Sequence, residues 1–247
     1  MTFTYGKATS TLAIVLCGLI SVSTSMAADI KSYSAKYSAN FNGMEIEADH
    51  RLEQLESGQF QQTLKAKNIF GKIDERALFS ISENKQIVPR EYSYERSLLG
   101  KKRIEKQVFD WPNQELRYSK KNKVTSLPLQ SGYLDIITQK LQLRLDLQSG
   151  KETLSYPVIS RGKLKQYNFQ VITNEILETA IGPLNTVLVQ RVREDNQRQT
   201  KIWLATDWDY LAVRLEQVED GDSHEMNIIN GEVNNQPVRP LKIATEK

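Results

Sequence analysis

Cysteine is almost absent from this chain and histidine is scarce. Its 247 residues include one cysteine, Cys17, and two histidines, His50 and His224. Cys17 falls in an N-terminal segment with the character of a targeting signal, so the remainder has no cysteine. That excludes a disulfide framework, a thiolate nucleophile and a cysteine-ligated metal. Two histidines are too few for most metal sites built on them, and none is expected. The sequence contains no G-x-S-x-G, no P-loop and no G-x-G-x-x-G, so no nucleophile elbow or phosphate cradle is announced. After residue 28 no apolar run approaches the ~20 residues that a spanning helix needs. Charge of one sign is also lacking: 33 basic residues stand against 30 acidic ones. That balance points away from a nucleic-acid partner.

The N-terminus has the features of a secretory signal. Lys7 supplies a short positive region, Leu12 to Val22 is apolar but too short to span a bilayer, and Ser25-Met26-Ala27 offers small residues where a signal peptidase reads. Cleavage is expected after Ala27, with Ala28 as the alternative. A retained anchor is argued against by the cleavage site that directly follows the run. Lipidation at Cys17 is argued against by Leu16, where a small residue is required. The expected organisation is a signal peptide over 1–27, one β-rich domain over 28–233 and a loosely held polar tail over 234–247. An exported, cysteine-free chain suits a bacterial periplasm.

Period-two alternation dominates the chain after the signal. Tyr33, Ala35, Tyr37, Ala39 and Phe41 share one face, Asn42-Gly43 makes a hairpin turn, and Met44, Ile46, Ala48, His50 and Leu52 alternate on the return strand. Further strands are expected around Phe60 to Ala66, Ala77 to Ile81, Tyr92 to Tyr94, Ile104 to Phe109 and Leu116 to Tyr118, with a break at Pro89. One segment changes period. Leu134, Ile137, Leu141 and Leu145 recur at helical spacing, with Asp135 near the start and Gly150 just past the end. Strands resume from Leu154 to Val233. The expected fold is mainly β: a single antiparallel, strongly curved sheet or barrel-like meander, with one amphipathic helix covering a face or end.

Candidate site residues are few. Between Arg96 and Lys123 nine basic residues face three acidic ones, giving +6. Lys101, Lys102 and Arg103 are its densest run, and Trp111 lies among them. The reading is a patch for an anionic membrane surface; solvated strand faces are the alternative. Trp203 and Trp208 flank a turn and could grip a lipid or a sugar, or pack as core and corner. His50 lies on the apolar face of its strand, as a hydrogen-bonded core histidine would. His224 reads as a turn residue. Asp207 with Asp209, and Asp220 with Asp222, sit in turns, where Asp caps the backbone, so acid/base chemistry is not expected of them.

The second half adds a family resemblance. The helical segment is followed by Glu178-Thr179-Ala180-Ile181-Gly182-Pro183-Leu184-Asn185-Thr186, by Trp203-Leu204-Ala205 and by Leu211-Ala212-Val213-Arg214-Leu215. With the Tyr-rich first strand, Pro89 to Tyr92 and Phe109-Asp110-Trp111, this order resembles the exported bacterial domain-of-unknown-function family 3108. Ala212 departs from the family's proline. The resemblance spans roughly Ser32 to Val233 and implies a periplasmic β-rich domain; it carries over no catalytic residue. The expected function is non-enzymatic binding in the cell envelope, with a lipid or lipidated ligand held in a curved-sheet cleft. The alternatives are an assembly factor that meets an envelope protein through a sheet edge, and an unrecognised hydrolase. No cofactor is expected.

Overall fold

The computed structural model describes residues 30–41, 44–193, 198–219 and 221–241. The expected signal peptide, the Asn42-Gly43 turn, Asp220 and the last residues of the tail lie outside them.

Eight strands run outward from the first in simple succession: β1 (Tyr33–Phe41), β2 (Met44–Gln54), β3 (Phe60–Asn68), β4 (Gly71–Ile81), β5 (Ile87–Leu98), β6 (Lys101–Asp110), β7 (Glu115–Lys120) and β8 (Lys123–Pro128). The bridge β9 (Leu134–Asp135) leads into helix α1 (Ile136–Gln148). Then come β10 (Leu154–Ser160), β11 (Lys163–Thr179), β12 (Gly182–Val192), β13 (Arg198–Ala205), a single 3-10 turn at Thr206–Trp208, β14 (Leu211–Glu219), β15 (Asp222–Val233) and the bridge β16 (Gln236–Pro237). β15 pairs with β1, which joins the two halves into one sixteen-stranded sheet. The expected single sheet is therefore present, built as two meanders sharing a seam. The pairing is antiparallel except for β9 against β10, a short parallel contact forced by the helix between them.

The sheet's outermost neighbours do not join by a ladder, so it is not closed. Side chains nevertheless cross the gap. Gln107 of β6 donates to the Ile159 carbonyl of β10 at 3.2 Å, and Phe109 and Leu116 pack with Ile159 in a small cluster of their own.

The alternation read from the sequence is the burial pattern. Tyr33, Ala35 and Tyr37 of β1, Ala48 and Leu52 of β2, and Ala77 and Phe79 of β4 are buried on the inner face. Burying a side chain such as Phe79 stabilises by roughly 1.5–3 kcal/mol relative to leaving it exposed. Helix α1 packs into this face. Asp135 caps it, its carboxylate accepting from the Ile137 and Thr138 amides while Thr138 reaches back to the Asp135 amide.

The helix differs from expectation in one respect: its polar side is not turned to solvent. Thr138, Gln139, Gln142, Arg144 and Asp146 are buried alongside Ile137, Leu141, Leu143 and Leu145. Most of the polar groups have partners. Gln142 accepts from the Ile87 amide at 2.8 Å and donates to Asp146, and Asp146 also receives Tyr156 and Lys151. Arg144 donates to the backbone and carboxylate of Asp209 at 2.8 and 3.2 Å and lies over the Tyr33 ring. Polar residues at helical spacing here serve as interior struts.

The polar tail is tied to the sheet through its described part. The Val238 amide donates to the Gly231 carbonyl, the Leu241 amide to that of Pro183, and Trp208 to that of Arg239.

Candidate binding site at the open end of the sheet

Helix α1 reaches along the inner face but leaves one end uncovered. There Ile46, Ala66, Ile73 and Leu98 line an apolar pocket of about 300 Å³, with Lys67, Lys72 and Arg96 at its rim. That volume is at the small end of the range for ligand pockets, which combine apolar walls with a few placed polar groups. The register explains the lining. Ala66 faces Ile73 across β3 and β4, Ile73 faces Arg96 across β4 and β5, and Gly71 faces Leu98. Gly71 is required, because a Cβ there would collide with the Ser97 carbonyl oxygen. The Nε of Arg96 is buried with no partner, so this guanidinium keeps an unused donor beside the pocket.

Deeper inside, the space narrows. Beneath the helix a cavity of about 50 Å³ is bounded by Tyr33, Tyr37, His50, Gln62, Lys140 and Arg144. A water occupies ~30 Å³ of liquid, so this is room for one or two waters and not for an acyl chain. His50 is half-buried, with its ring bonded to Tyr33 at 3.2 Å and Gln62 at 2.7 Å. Burial, aided by the Lys140 and Arg144 charges, lowers its pKa to about 3. Burial likewise pushes Tyr33 up to about 12 and Asp135 up to about 6. A histidine held neutral this strongly is a poor proton acceptor at neutral pH and fits the core role read from its strand position. A wider depression of about 700 Å³ near Ser38, Asn40, Glu45 and His224 is open and polar, with little to exclude water. Among the described residues, no three of His, Cys, Asp and Glu converge to hold a metal ion. No described helix is long and apolar enough to cross a membrane.

The six side chains singled out in the sequence do not form one site. Lys101 and Lys102 are exposed at the turn between β5 and β6, next to the pocket. Arg103, one position further, turns to the inner face, pairs with Glu105 and lies over Tyr94. Burial alone would raise the Glu105 carboxyl, but bonds from Arg103 and Tyr118 and the nearby cations hold it below the usual range. Trp111 lies beyond the opposite end of β6, roughly 30 Å away at ~3.3 Å per residue. It stacks on Phe109 and donates to the Pro89 carbonyl at 2.6 Å. Trp203 is buried and bonded to Glu175, and Trp208 packs half-buried against the core. The three tryptophans are thus structural side chains at separate places. The sequence reading missed the turn between β3 and β4, where Asn68 accepts from the Phe70 and Gly71 amides at 2.9 Å each. An Asn three residues before a Gly was the available signal.

A model of the family described as "protein of unknown function (DUF3108)" matches residues 33–228. The chain belongs to this DUF3108 family. No curated protein matches it. Among solved structures it is similar to a β-barrel-like protein of the domain of unknown function DUF1849 from Brucella abortus, with a TM-score of 0.57, 6% identity and coverage of 83% of this chain and 98% of that one. A chain of the Pseudomonas aeruginosa MucA/MucB complex matches with a TM-score of 0.39 and 8% identity, over 87% of this chain and 56% of that one. The first likeness agrees with the sixteen-stranded, barrel-like but unclosed sheet of this DUF3108 member.

Proposed function

We propose that this DUF3108 protein is an exported, non-enzymatic binding protein of the bacterial cell envelope. It holds a lipid or lipidated ligand at the open end of its sheet. The observation that carries the reading is the pocket itself: about 300 Å³ of apolar space on the inner face, with Lys67, Lys72 and Arg96 around it. Apolar walls suit an acyl chain, and the cations suit an anionic headgroup. The space beneath α1 is too small to share that role. A periplasmic location follows from the signal-like N-terminus and from nothing else.

Native mass spectrometry of the protein released gently from its own cells tests this. A lipid-sized adduct is expected, and Ala66→Trp, which fills the pocket, should remove it. Protein that carries no adduct, or an adduct indifferent to Ala66→Trp, overturns the reading.

A second reading has its own observation. β10 pairs with β11 only over residues 163–169, so residues 170–179 of β11 are paired by β12 alone. Val171, Ile172 and Ile176 are exposed along that stretch. An extended segment of an envelope protein could add there as a further strand. Ile172→Pro should abolish cross-linking to such a partner, and cross-links unaffected by it would count against an edge-mediated contact.

A further inference from the structure

The turns β3–β4 and β5–β6 stand side by side beyond the pocket, joined by a bond of 3.0 Å from the Leu99 amide to the Phe70 carbonyl. Three features of this double tip each cost the isolated protein stability.

First, it exposes apolar side chains: Ile69 is 90% exposed, Leu99 73%, Phe70 44% and Leu98 41%. Single exposed apolar residues are ordinary, but four on two bonded turns form a patch. Second, Leu99 has φ 48 and Gly100 φ 77. Hairpins with two left-handed residues normally place Asn or Asp first. A leucine there is strained and gains no burial in return. Third, like charges face one another. Lys67 is opposite Lys72 across β3 and β4, and Arg96 is opposite Arg103 across β5 and β6. Directly opposed like charges destabilise a sheet. Residues 67–72 and 96–103 hold six cations and no carboxylate. Nearby acids are Glu47 opposite Lys67, Asp74 two residues along β4 from Lys72, Glu95 at 4.0 Å from Lys102, and Glu105 paired with Arg103. None of these lies opposite Lys72 or Lys101.

We propose that this double tip docks the protein on an anionic lipid bilayer, with Ile69, Phe70, Leu98 and Leu99 entering the headgroup–acyl boundary and Lys67, Lys72, Lys101 and Lys102 meeting lipid phosphates. The first and third of these features are relieved by that one partner. The apolar side chains leave water, and anionic headgroups neutralise the opposed cations. Neither signal alone gives stable attachment, and the tip supplies both. The turns are stiff enough to present them, since Asn68 fixes the first through its two bonds and the Leu99–Phe70 bond fixes the second to it. Lys67, Lys72 and Leu98 also line the pocket, but Ile69, Phe70, Leu99, Lys101 and Lys102 do not, so variants at those positions test the tip apart from the pocket reading.

The test is co-sedimentation of the protein, purified from its own cells, with vesicles of phosphatidylcholine alone and of phosphatidylcholine with a third phosphatidylglycerol. Binding is expected to the anionic vesicles and to weaken as salt is raised. Leu99→Asn combined with Ile69→Asp should reduce it roughly tenfold or more, because two inserting side chains are lost. Lys101→Glu with Lys102→Glu should reduce it and flatten the salt dependence. Ala66→Trp should leave it unchanged. Equal binding to both vesicle types, no binding at all, or anionic binding that survives the tip variants overturns the proposal. A soluble protein partner captured through the tip in place of vesicles would overturn it as well.

Discussion

The two ends of the inner face treat polarity in opposite ways. Beneath α1, charged and polar groups are buried and mostly bound: Arg144 to Asp209, Gln142 to the Ile87 amide, and His50 to Tyr33 and Gln62. At the open end, apolar side chains are exposed and cations oppose cations. Buried polar groups are tolerated when paired, because desolvation is offset by the bonds they make. Exposed apolar groups have no such compensation within the molecule, and Lys72 and Lys101 have no acid opposite them. The first end behaves as a finished interior and the second as a surface missing its partner. Substitutions should therefore separate the two: stability should respond at the helix, and binding at the tip.

The largest effect is expected at Arg144. Replacing it with Ala leaves Asp209 with only Lys31, 3.9 Å away, as an ion-pair partner and removes two bonds to the Asp209 carbonyl. Removing one partner of a buried pair costs up to about 3–5 kcal/mol. Urea unfolding should show a loss on that scale, with vesicle binding of the folded protein unaltered. A loss under ~1 kcal/mol, the level of an exposed pair, would mean that the interior is less finished than its bonds suggest.

Trp203→Phe comes next. It keeps most of the buried ring but removes the bond that the indole donates to the exposed Glu175 carboxylate at 2.5 Å. A loss of about 0.5–1.5 kcal/mol is expected, again without change in lipid binding. If lipid binding falls while stability holds, the tryptophan contacts ligand after all.

How far the sequence carried this contrast depends on the end considered. Strand alternation placed Tyr33, Ala35, Tyr37 and His50 on the inner face correctly, because period two maps directly onto the two faces of a sheet. The cap at Asp135 and Gly150 past the helix were also legible. The burial of Arg144 and Asp146 was not legible, since a helix shows which residues share a side but not what surrounds it. The seam between β1 and β15 joins residues about two hundred apart, and no local pattern announces it. Ile69, Phe70, Leu98 and Leu99 had no place in the alternation pattern, and only the position of two turns beside each other reveals that these residues are out in water.

A pH series sharpens the interior half of the comparison. His50 has a pKa of about 3 when folded, against 6.5 unfolded. The unfolded chain therefore takes up its proton first, and the stability present above pH 6.5 is lost progressively as pH falls toward 3. One proton limits the slope to ~1.4 kcal/mol per pH unit. Asp135, raised to about 6 from 3.8, acts in the opposite sense: its folded form binds the proton first, so stability rises as pH falls from 6 toward 3.8. Lys140, Arg144, Tyr33 and Tyr37 are the other ionisable groups that face His50. In His50→Gln the histidine slope disappears, and between about pH 6 and 4 the variant should lose less stability than the parent. Parallel curves for the two proteins would place a charged, solvated imidazole at this position.

The smallest change in stability, and the one that divides the two ends most sharply, belongs to Leu99→Asn. Asn accepts left-handed backbone more readily than leucine, and Leu99 has no core contacts to forfeit, being 73% exposed with φ 48. The backbone bond to the Phe70 carbonyl is kept. The variant should therefore be as stable as the parent or up to about 1 kcal/mol more stable, while attachment to anionic vesicles weakens. A side chain whose removal improves the fold and harms binding is held at its position by the partner. If Leu99→Asn instead destabilises the protein, Leu99 is supporting the turn, and the open end is closer to a finished surface than its exposed side chains imply.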